Sequence, residues 1–180
     1  MKSAEKSGLD FVIDKLTNSI QNVITGDSFA TDVTLVNNVS ELKTVLKKNG
    51  WNFNWKNEFK NPLRTVYKLT IHQNENIIQG LISLEIRFDH VYMHLIESAP
   101  FNKGKEKVYT GVPGNLVAFA CKISFQKGYE GNVSFVAKSQ LINHYEQSLG
   151  AIHAGGRIMI IDTTAALRLT NKYYPNETSR

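Results

Sequence analysis

The chain has 180 residues, of which 42% are hydrophobic, and its formal net charge at pH 7 is +5. This composition can build one compact domain whose core needs neither metals nor disulfides, and the single cysteine, Cys121, excludes an intramolecular disulfide and argues against a cysteine-based zinc site. The positive charge favours anionic partners such as nucleotides, nucleic acid or a phosphorylated cofactor.

The first third of the chain predicts a helix, a strand and a second, short helix. Over residues 9–24, apolar side chains recur mostly three or four positions apart, which is typical of one face of a helix. Residues 29–36 then predict a strand. Ser40 is the expected cap of a short helix that ends at Gly50.

The middle of the chain predicts an antiparallel meander. Its three strands are expected at residues 65–71, 77–86 and 91–97. A hairpin at residues 73–76 joins the first two, and a turn at residues 88–90 joins the last two.

Helices and strands alternate in the last third. We expect a helix at residues 115–127, a strand at 133–137, a helix at 140–149, a strand at 157–161 and a terminal helix at 164–173. Such an alternation needs crossover connections, so the predicted fold class is α/β, with a mixed sheet in which an antiparallel meander is followed by helix–strand crossovers.

The turn at residues 109–115 (YTGVPGN) places Gly111 and Gly114 directly before the helix at 115–127. Backbone N–H groups and the helix dipole can together hold a phosphate at such a position. The first turn of this helix carries no Asp or Glu, which leaves the dipole for an external anion. The alternative is a tight loop that only reverses the chain.

The order of these elements resembles the GNAT family of acyl-CoA-dependent N-acyltransferases over residues 69–161. Five segments carry the resemblance: 78–83 (IQGLIS), 95–98 (LIES), 111–116 (GVPGNL), 131–136 (GNVSFV) and 144–151 (HYEQSLGA). The resemblance implies the GNAT fold, with acetyl-CoA as co-substrate and no metal.

In that family, the amides of an Arg/Gln-x-x-Gly-x-Gly/Ala loop bind the pyrophosphate of coenzyme A. Here Gly114 matches the last position, which puts Val112 at the first glycine and Tyr109 at the Arg/Gln; if Gly111 is the first glycine, the loop has one extra residue. Pro113 removes one amide. The pantetheine arm is expected to pair with splayed strands at residues 91–97 and 133–137. The implied cofactor-binding residues are Leu95, Ile96, Tyr109, Gly111, Val112, Gly114 and Asn115.

Two residues are candidates for the catalytic acid and base. Tyr145 matches the tyrosine that family members often use to protonate the leaving thiolate, although Leu141, Ile142, Tyr145 and Leu149 would also form an apolar helix face on which a tyrosine is simply core. Glu97 is the candidate base because it ends a strand that should line the cleft; the alternative is an exposed residue or a partner of Lys103 or Lys105. Further candidates are Glu85, Asp89 and His94, or water alone.

Other constellations favour structural explanations. His90 and His94 would lie about 13 Å apart on a strand, too far to share one metal ion. Cys121 is expected to pack inside a helix. Residues 47–56 interleave basic and aromatic side chains, as single-stranded nucleic-acid sites do, but without an accompanying nucleic-acid module we favour a loop on the acceptor side whose Trp residues pack on the core.

The C-terminus departs from the family, whose members usually finish with two strands. Here the strand at 157–161 is followed by Asp162, a credible cap, and a helix. The missing strand would come from a partner subunit in a homodimer, or the edge would be covered by that helix. We predict one domain with a variable part at residues 1–64, a core at 65–162, and a terminal helix and tail at 163–180.

The location and the function follow from these observations as predictions. Residues 1–10 lack the apolar core of a signal peptide, and no apolar run approaches the ~20 residues of a membrane helix, so we expect a cytoplasmic protein with no membrane partner. The resemblance implies an N-acetyltransferase that moves an acetyl group from acetyl-CoA to a primary amine; a small amine, a peptide N-terminus, a lysine and aminoacyl-tRNA all remain open as acceptor. The alternative is a GNAT-like scaffold without catalysis that binds or regulates a partner.

Overall fold

A seven-stranded mixed sheet forms the centre of the molecule. The computed structural model describes residues 8–16 and 19–175. Ten strands are described: β1 (Ile20–Asn22), β2 (Ser28–Phe29), β3 (Thr31–Leu35), β4 (Thr65–Ile71), β5 (Gly80–Ile86), β6 (Val91–Ser98), β7 (Tyr109–Thr110), β8 (Val133–Val136), β9 (Ile152–His153) and β10 (Ile158–Ile161). The large sheet has the order β3-β4-β5-β6-β8-β10-β9, and β2-β1-β7 form a small second sheet.

Within the described part of the chain, four α-helices accompany the strands: α1 (Trp55–Lys60), α2 (Val112–Gln126), α3 (Ile142–Leu149) and α4 (Thr163–Tyr173). Helix α2 packs against β5 and β6 on one side and against α4 on the other. It is therefore buried almost all round, from Val112 to Cys121. Within the described ranges, no helix combines the length and the apolar character needed to cross a membrane.

The predicted meander is confirmed. β3, β4, β5 and β6 pair antiparallel in succession, and β4 has the predicted bounds. The pairing of β5 with β6 shifts between Ser83 and Leu84, so that one residue of β6, His94, bulges out of the ladder.

The predicted crossover is confirmed as well. β8 lies parallel to β6, after the connection through α2, and antiparallel to β10. β6 and β8 pair only at Val91 with Val133 and at Tyr92 with Ser134. Beyond these residues the two strands are not paired with each other, and they leave a wedge that opens towards the start of α2.

The helix predicted over residues 9–24 is wrong. Residues 8–16 run without helical structure, and Ile20–Asn22 form β1; residues 17 and 18 lie outside the described part. Burial alternates from Leu9 to Asp14: Leu9 and Phe11 are buried, Ile13 is partly buried, and Asp10, Val12 and Asp14 are exposed. This period of two is that of a strand, and it outweighs the spacing of three and four.

The short helix predicted after Ser40 is two 3₁₀ turns, Val39–Leu42 and Lys47–Asn49. Asn38 is the cap of the first turn instead of Ser40, because its side chain accepts the Ser40 N–H and the Glu41 side chain reaches back to the Asn38 N–H. Gly50 ends the second turn with φ +97°, as its predicted role requires.

The C-terminal edge of the large sheet differs from the expectation that one strand is missing there. The strand that the sequence lacks is supplied by the chain itself, because β9 pairs with β10 at Ile152 and His153. Helix α4, capped by the Asp162 side chain, packs mainly on α2 and also contacts β10.

Candidate functional site

The wedge between β6 and β8 ends at the first turn of α2. Gly80 of β5 permits this close approach, because a Cβ there would lie 2.6 Å from Cγ1 of Val112 and 3.2 Å from the Glu97 carbonyl oxygen. The glycine at position 80 therefore seats the helix start directly on the sheet, next to the end of β6.

The glycine turn is a true helix N-terminus, but it starts earlier than predicted. Gly111 is the N-cap at φ +97°, so Gly114, which was expected before the helix, lies inside its first turn together with Asn115. The Asn115 side chain donates to the Gly111 carbonyl at 2.8 Å and fixes the turn. No acidic residue lies in this first turn, as predicted. The turn thus offers backbone N–H groups and the positive end of the dipole to an anion.

An anion from the chain itself already lies at this helix start. The Gly111 N–H donates to Oδ1 of Asp14 at 3.0 Å, and the ammonium of Lys107 lies 3.0 Å from Oδ2 of the same carboxylate. Gly114 faces this segment and α4, because a Cβ there would lie 2.4 Å from the Tyr173 hydroxyl oxygen and 3.1 Å from the Lys15 carbonyl oxygen.

Residues 8–16 continue from Asp14 into the wedge. The Leu9 N–H donates to the Val136 carbonyl at 2.7 Å, and the Lys138 N–H donates to the Leu9 carbonyl at 2.9 Å. Leu9 thereby forms a parallel bridge with Ala137, at the end of β8 where the ladder with β6 has already stopped. The segment pairs as a strand with the free edge of β8.

The Tyr145 side chain is held by this segment. Its hydroxyl donates to the Phe11 carbonyl at 2.7 Å, and its ring packs 4.6 Å from the Phe11 ring and 5.2 Å from the Phe135 ring, centroid to centroid. The side chain is fully buried, and this burial raises the pKa of the phenol well above its usual value of 10. In this arrangement Tyr145 occupies the core position that the apolar face of its helix also indicated.

Glu97 is buried at the end of β6 and accepts three hydrogen bonds. The Asn52 N–H donates to Oε2 at 2.7 Å, the Trp55 indole N–H donates to Oε1 at 2.8 Å, and the Lys103 ammonium lies 2.5 Å from Oε2. Lys103 is therefore the partner of Glu97, and Lys105 is not among these donors. The carboxylate anchors the loop before α1 to the sheet.

A pocket of about 290 Å³ remains between residues 8–16 and the loop before α1. Glu97 and Lys103 line it on one side, and Asp14 and Pro113 at the helix start line it on the other. The structure therefore brings the candidate base and the start of α2 to one cavity. The candidate cofactor residue Ile96 also lines this pocket, whereas the candidate acid Tyr145 does not.

Three other candidate cofactor residues, Leu95, Tyr109 and Val112, make contacts within the protein. Leu95 is buried opposite Ser83, and Val112 is buried in the first turn of α2. Tyr109 lies in β7, donates its N–H to the Asn102 side chain at 3.1 Å and packs edge-on against Phe29.

The alternative bases lie away from this pocket. Glu85 binds Arg87 and His94, and hydrogen bonding to Arg87, more than to His94, lowers the pKa of Glu85. Asp89 is exposed and hydrogen-bonded to His90, which lowers the pKa of this carboxyl. None of these side chains lines the cavity beside Glu97. Among the described residues, no three His, Cys, Asp or Glu side chains are grouped so that they could hold a metal ion.

Two structural explanations from the sequence are confirmed. Trp51 and Trp55 are buried in the core, so their rings are not available for base stacking. Cys121 is fully buried in α2, and this burial raises the pKa of its thiol to about 12.

Sequence reasoning missed Asp14, Asn52 and Trp55 as parts of the site. The apolar residues at positions 9, 11 and 13, with aspartates at positions 10 and 14, were a usable signal for an extended segment. No local pattern indicated that Asn52 and Trp55 would meet a carboxylate more than 40 positions later in the chain.

Comparisons with known proteins bear on the fold. No protein-family model matches the chain, and no curated protein sequence matches it. Solved structures do match. A KacTA–DNA complex has a TM-score of 0.54 and 13% identity, with 78% of this chain and 98% of that one covered, and AtaTR bound with AcCoA has a TM-score of 0.54 and 15% identity, with 77% of this chain and 97% of that one covered. The spermidine/spermine N-acetyltransferase SpeG from Vibrio cholerae in complex with manganese ions has a TM-score of 0.52 and 15% identity, with 77% of this chain and 95% of that one covered. The chain therefore has the GNAT acetyltransferase fold.

Proposed function

We propose that the protein is an N-acetyltransferase that binds acetyl-CoA at the start of α2 and in the wedge between β6 and β8, and transfers its acetyl group to a primary amine. One observation carries the proposal: the N-terminus of α2, whose first turn has no acidic residue, lies beside a wedge in which β6 and β8 are not paired with each other, in a chain that has the GNAT fold. The solved relatives, one of them bound to AcCoA, support this activity in general. The acceptor amine stays open.

The groups present in the wedge fit such a ligand. The helix start already binds a carboxylate through the Gly111 N–H and the Lys107 ammonium, which are also the donors that a phosphate needs. The Val136 carbonyl and the Lys138 N–H already pair with a peptide group, so they can pair equally well with the amides of a pantetheine arm. When it is bound, acetyl-CoA supplies the thioester that is attacked.

Glu97 is the proposed general base. An amine must lose a proton before it can attack an acyl group, and Glu97 lines the pocket that Pro113 at the helix start and Lys103 also line. Tyr145 can serve as the acid only after its hydroxyl leaves the Phe11 carbonyl.

The test is turnover. Full-length protein is incubated with acetyl-CoA and a panel of amines (polyamines, lysine peptides, peptide N-termini and aminoacyl-tRNA), and acetylated products are identified by mass spectrometry. We expect one class to be acetylated, with activity lost in Glu97→Gln and kept in the exposed control Glu106→Gln. No product with any class would contradict the proposal, and full activity of Glu97→Gln would contradict the role of Glu97.

A second candidate function follows from the segment in the wedge. Because residues 8–16 occupy the strand edge and the helix start, a GNAT-like scaffold that binds a partner without catalysis is the alternative. The DNA complex of the KacTA relative and the net charge of +5 make nucleic acid one partner to test. This alternative predicts that acetyl-CoA binds neither the wild type nor any variant that frees the wedge.

A further inference from the structure

We propose that residues 8–16 are an intramolecular competitor of acyl-CoA, so that this segment must leave the wedge before the co-substrate can bind. The inference rests on the proposed function. It is carried by the match between what the segment supplies and what an acyl-CoA would place in the wedge: one anion, one strand-like backbone and one apolar group.

The anion is the carboxylate of Asp14. It accepts the Gly111 N–H at 3.0 Å and pairs with the Lys107 ammonium at 3.0 Å. A phosphate at this helix start would need the same Gly111 N–H, which has one hydrogen to donate, and its negative charge would repel the carboxylate beside it. Asp14 and a bound pyrophosphate therefore exclude one another.

The backbone of Leu9 occupies the edge of β8. Its N–H and carbonyl pair with the Val136 carbonyl at 2.7 Å and the Lys138 N–H at 2.9 Å. A ligand amide could pair with these two groups only if Leu9 released them, because each group pairs at this edge with one strand-like neighbour.

The apolar group is Phe11, which fills the space beside Tyr145 and Phe135. Its ring centroid lies 4.6 Å from that of Tyr145 and 5.7 Å from that of Phe135, and its carbonyl accepts the Tyr145 hydroxyl. The neighbouring Ile13 N–H donates to Nε2 of His144 at 2.9 Å. While the segment is seated, the proposed acid is therefore occupied as well.

Parts of the segment are held weakly. Val12 is 54% exposed, and the Asp10 carboxylate forms an exposed ion pair with Lys138. Exposed ion pairs contribute little, and the segment is not part of a helix or of a named strand. Its departure would free the wedge without opening the ladders of the large sheet.

A single substitution can expel the segment without replacing any residue of the proposed binding groups. Gly8 has φ +79°, and a Cβ there would lie 2.5 Å from the Ala137 carbonyl carbon and 2.6 Å from the Lys138 nitrogen, both of which are backbone atoms of the main body. In Gly8→Ala the seated position is therefore blocked. Gly155→Ala is the matched control, because Gly155 also has a positive φ, of +102°, and nothing lies within 4 Å of its added Cβ.

The experiment is calorimetric titration of full-length wild type, Gly8→Ala and Gly155→Ala with acetyl-CoA. The apparent affinity of a site is reduced by the fraction of molecules in which it is open. If the segment is seated in most molecules, we expect Gly8→Ala to bind at least about ten-fold more tightly than the wild type, and Gly155→Ala to bind like the wild type. Equal or weaker binding by Gly8→Ala would overturn the inference while leaving the proposed function standing. No binding by any of the three proteins would overturn the proposed function, and the inference with it.

Hydrogen exchange of the wild type gives a second readout that needs no variant. The amides of Leu9 and Lys138 are hydrogen-bonded across the wedge and should be protected in the free protein. Saturation with acetyl-CoA should expose the Leu9 amide and keep Lys138 protected by the ligand. Continued protection of Leu9 in the saturated protein would overturn the inference, even if Gly8→Ala failed to fold.

Discussion

Replacement of Glu97 by glutamine is the most informative perturbation of the candidate site. Three donors converge on this buried carboxylate: the Asn52 N–H, the Trp55 indole N–H and the Lys103 ammonium. Glutamine has the same shape, but it offers one acceptor oxygen and one NH2 group. Whichever way its amide is oriented, a donor of the protein faces a donor of the side chain.

The size of the effect follows from these contacts. A buried donor that loses its acceptor costs about 1–3 kcal/mol. The lost pairing with Lys103, whose side chain is 31% exposed, adds at most about 1 kcal/mol after screening by solvent. We therefore expect Glu97→Gln to lower the free energy of unfolding by about 3 kcal/mol. At about 2–4 °C per kcal/mol for a chain of this length, the melting midpoint should fall by about 6–12 °C.

The assay is urea unfolding followed by circular dichroism, with Glu106→Gln as the control that makes the same change of charge at an exposed position. The control should stay within about 0.5 kcal/mol of the wild type. Equal stability of Glu97→Gln and the wild type would refute the argument, since it would mean that the three hydrogen bonds do not hold the loop before α1. Where Glu97→Gln remains folded, its turnover separates the anchoring role from the proposed base.

Two further predictions concern buried side chains. Tyr145→Phe should lower the free energy of unfolding at pH 7 by about 1–2 kcal/mol, because the Phe11 carbonyl loses its donor; unchanged stability in urea would contradict that contact. The pKa of Tyr145 is higher in the folded than in the unfolded protein, so the contribution of its hydroxyl to stability is complete below pH 10 and is lost as the pH rises above that value. The wild type should therefore lose more stability than Tyr145→Phe in alkaline buffer. An identical loss in the two proteins would refute the raised pKa of Tyr145. Cys121, with its thiol pKa raised to about 12, should resist a disulfide reagent at pH 8 in the native protein and react after unfolding in urea; rapid labelling of the native protein would contradict its burial.

The sequence was most informative where local patterns and long-range pairing agree. β4 was predicted with its observed bounds because Thr65–Ile71 alternates and is followed by a turn, and its neighbours in the chain are also its neighbours in the sheet. Helix α2 was predicted because its apolar residues recur three and four positions apart. Its start was placed three residues late because the glycines were interpreted as a loop, whereas Gly111 is the N-cap and Pro113 lies in the first turn, where its missing N–H costs nothing.

The sequence failed where contacts distant in the chain decide the structure. In residues 9–24 the apolar side chains fit both the helical spacing of three and four and the strand spacing of two. The bridge between Leu9 and Ala137 stabilises the extended form of this segment. The same holds for the site. Glu97 could be singled out as the end of a strand, but its partners Asn52 and Trp55 lie on a loop that approaches only in the folded chain.

The central claim is that the start of α2 and the adjoining wedge bind an acyl-CoA. The most direct measurement compares acetyl-CoA with S-acetyl-pantetheine, which lacks the pyrophosphate, by calorimetric titration of the full-length protein. We predict micromolar binding of acetyl-CoA and at least ten-fold weaker binding of S-acetyl-pantetheine, because the Gly111 N–H and Lys107 would contact only the former. Equal affinity for the two ligands, or no binding of acetyl-CoA up to millimolar concentration by either the wild type or Gly8→Ala, would contradict the claim.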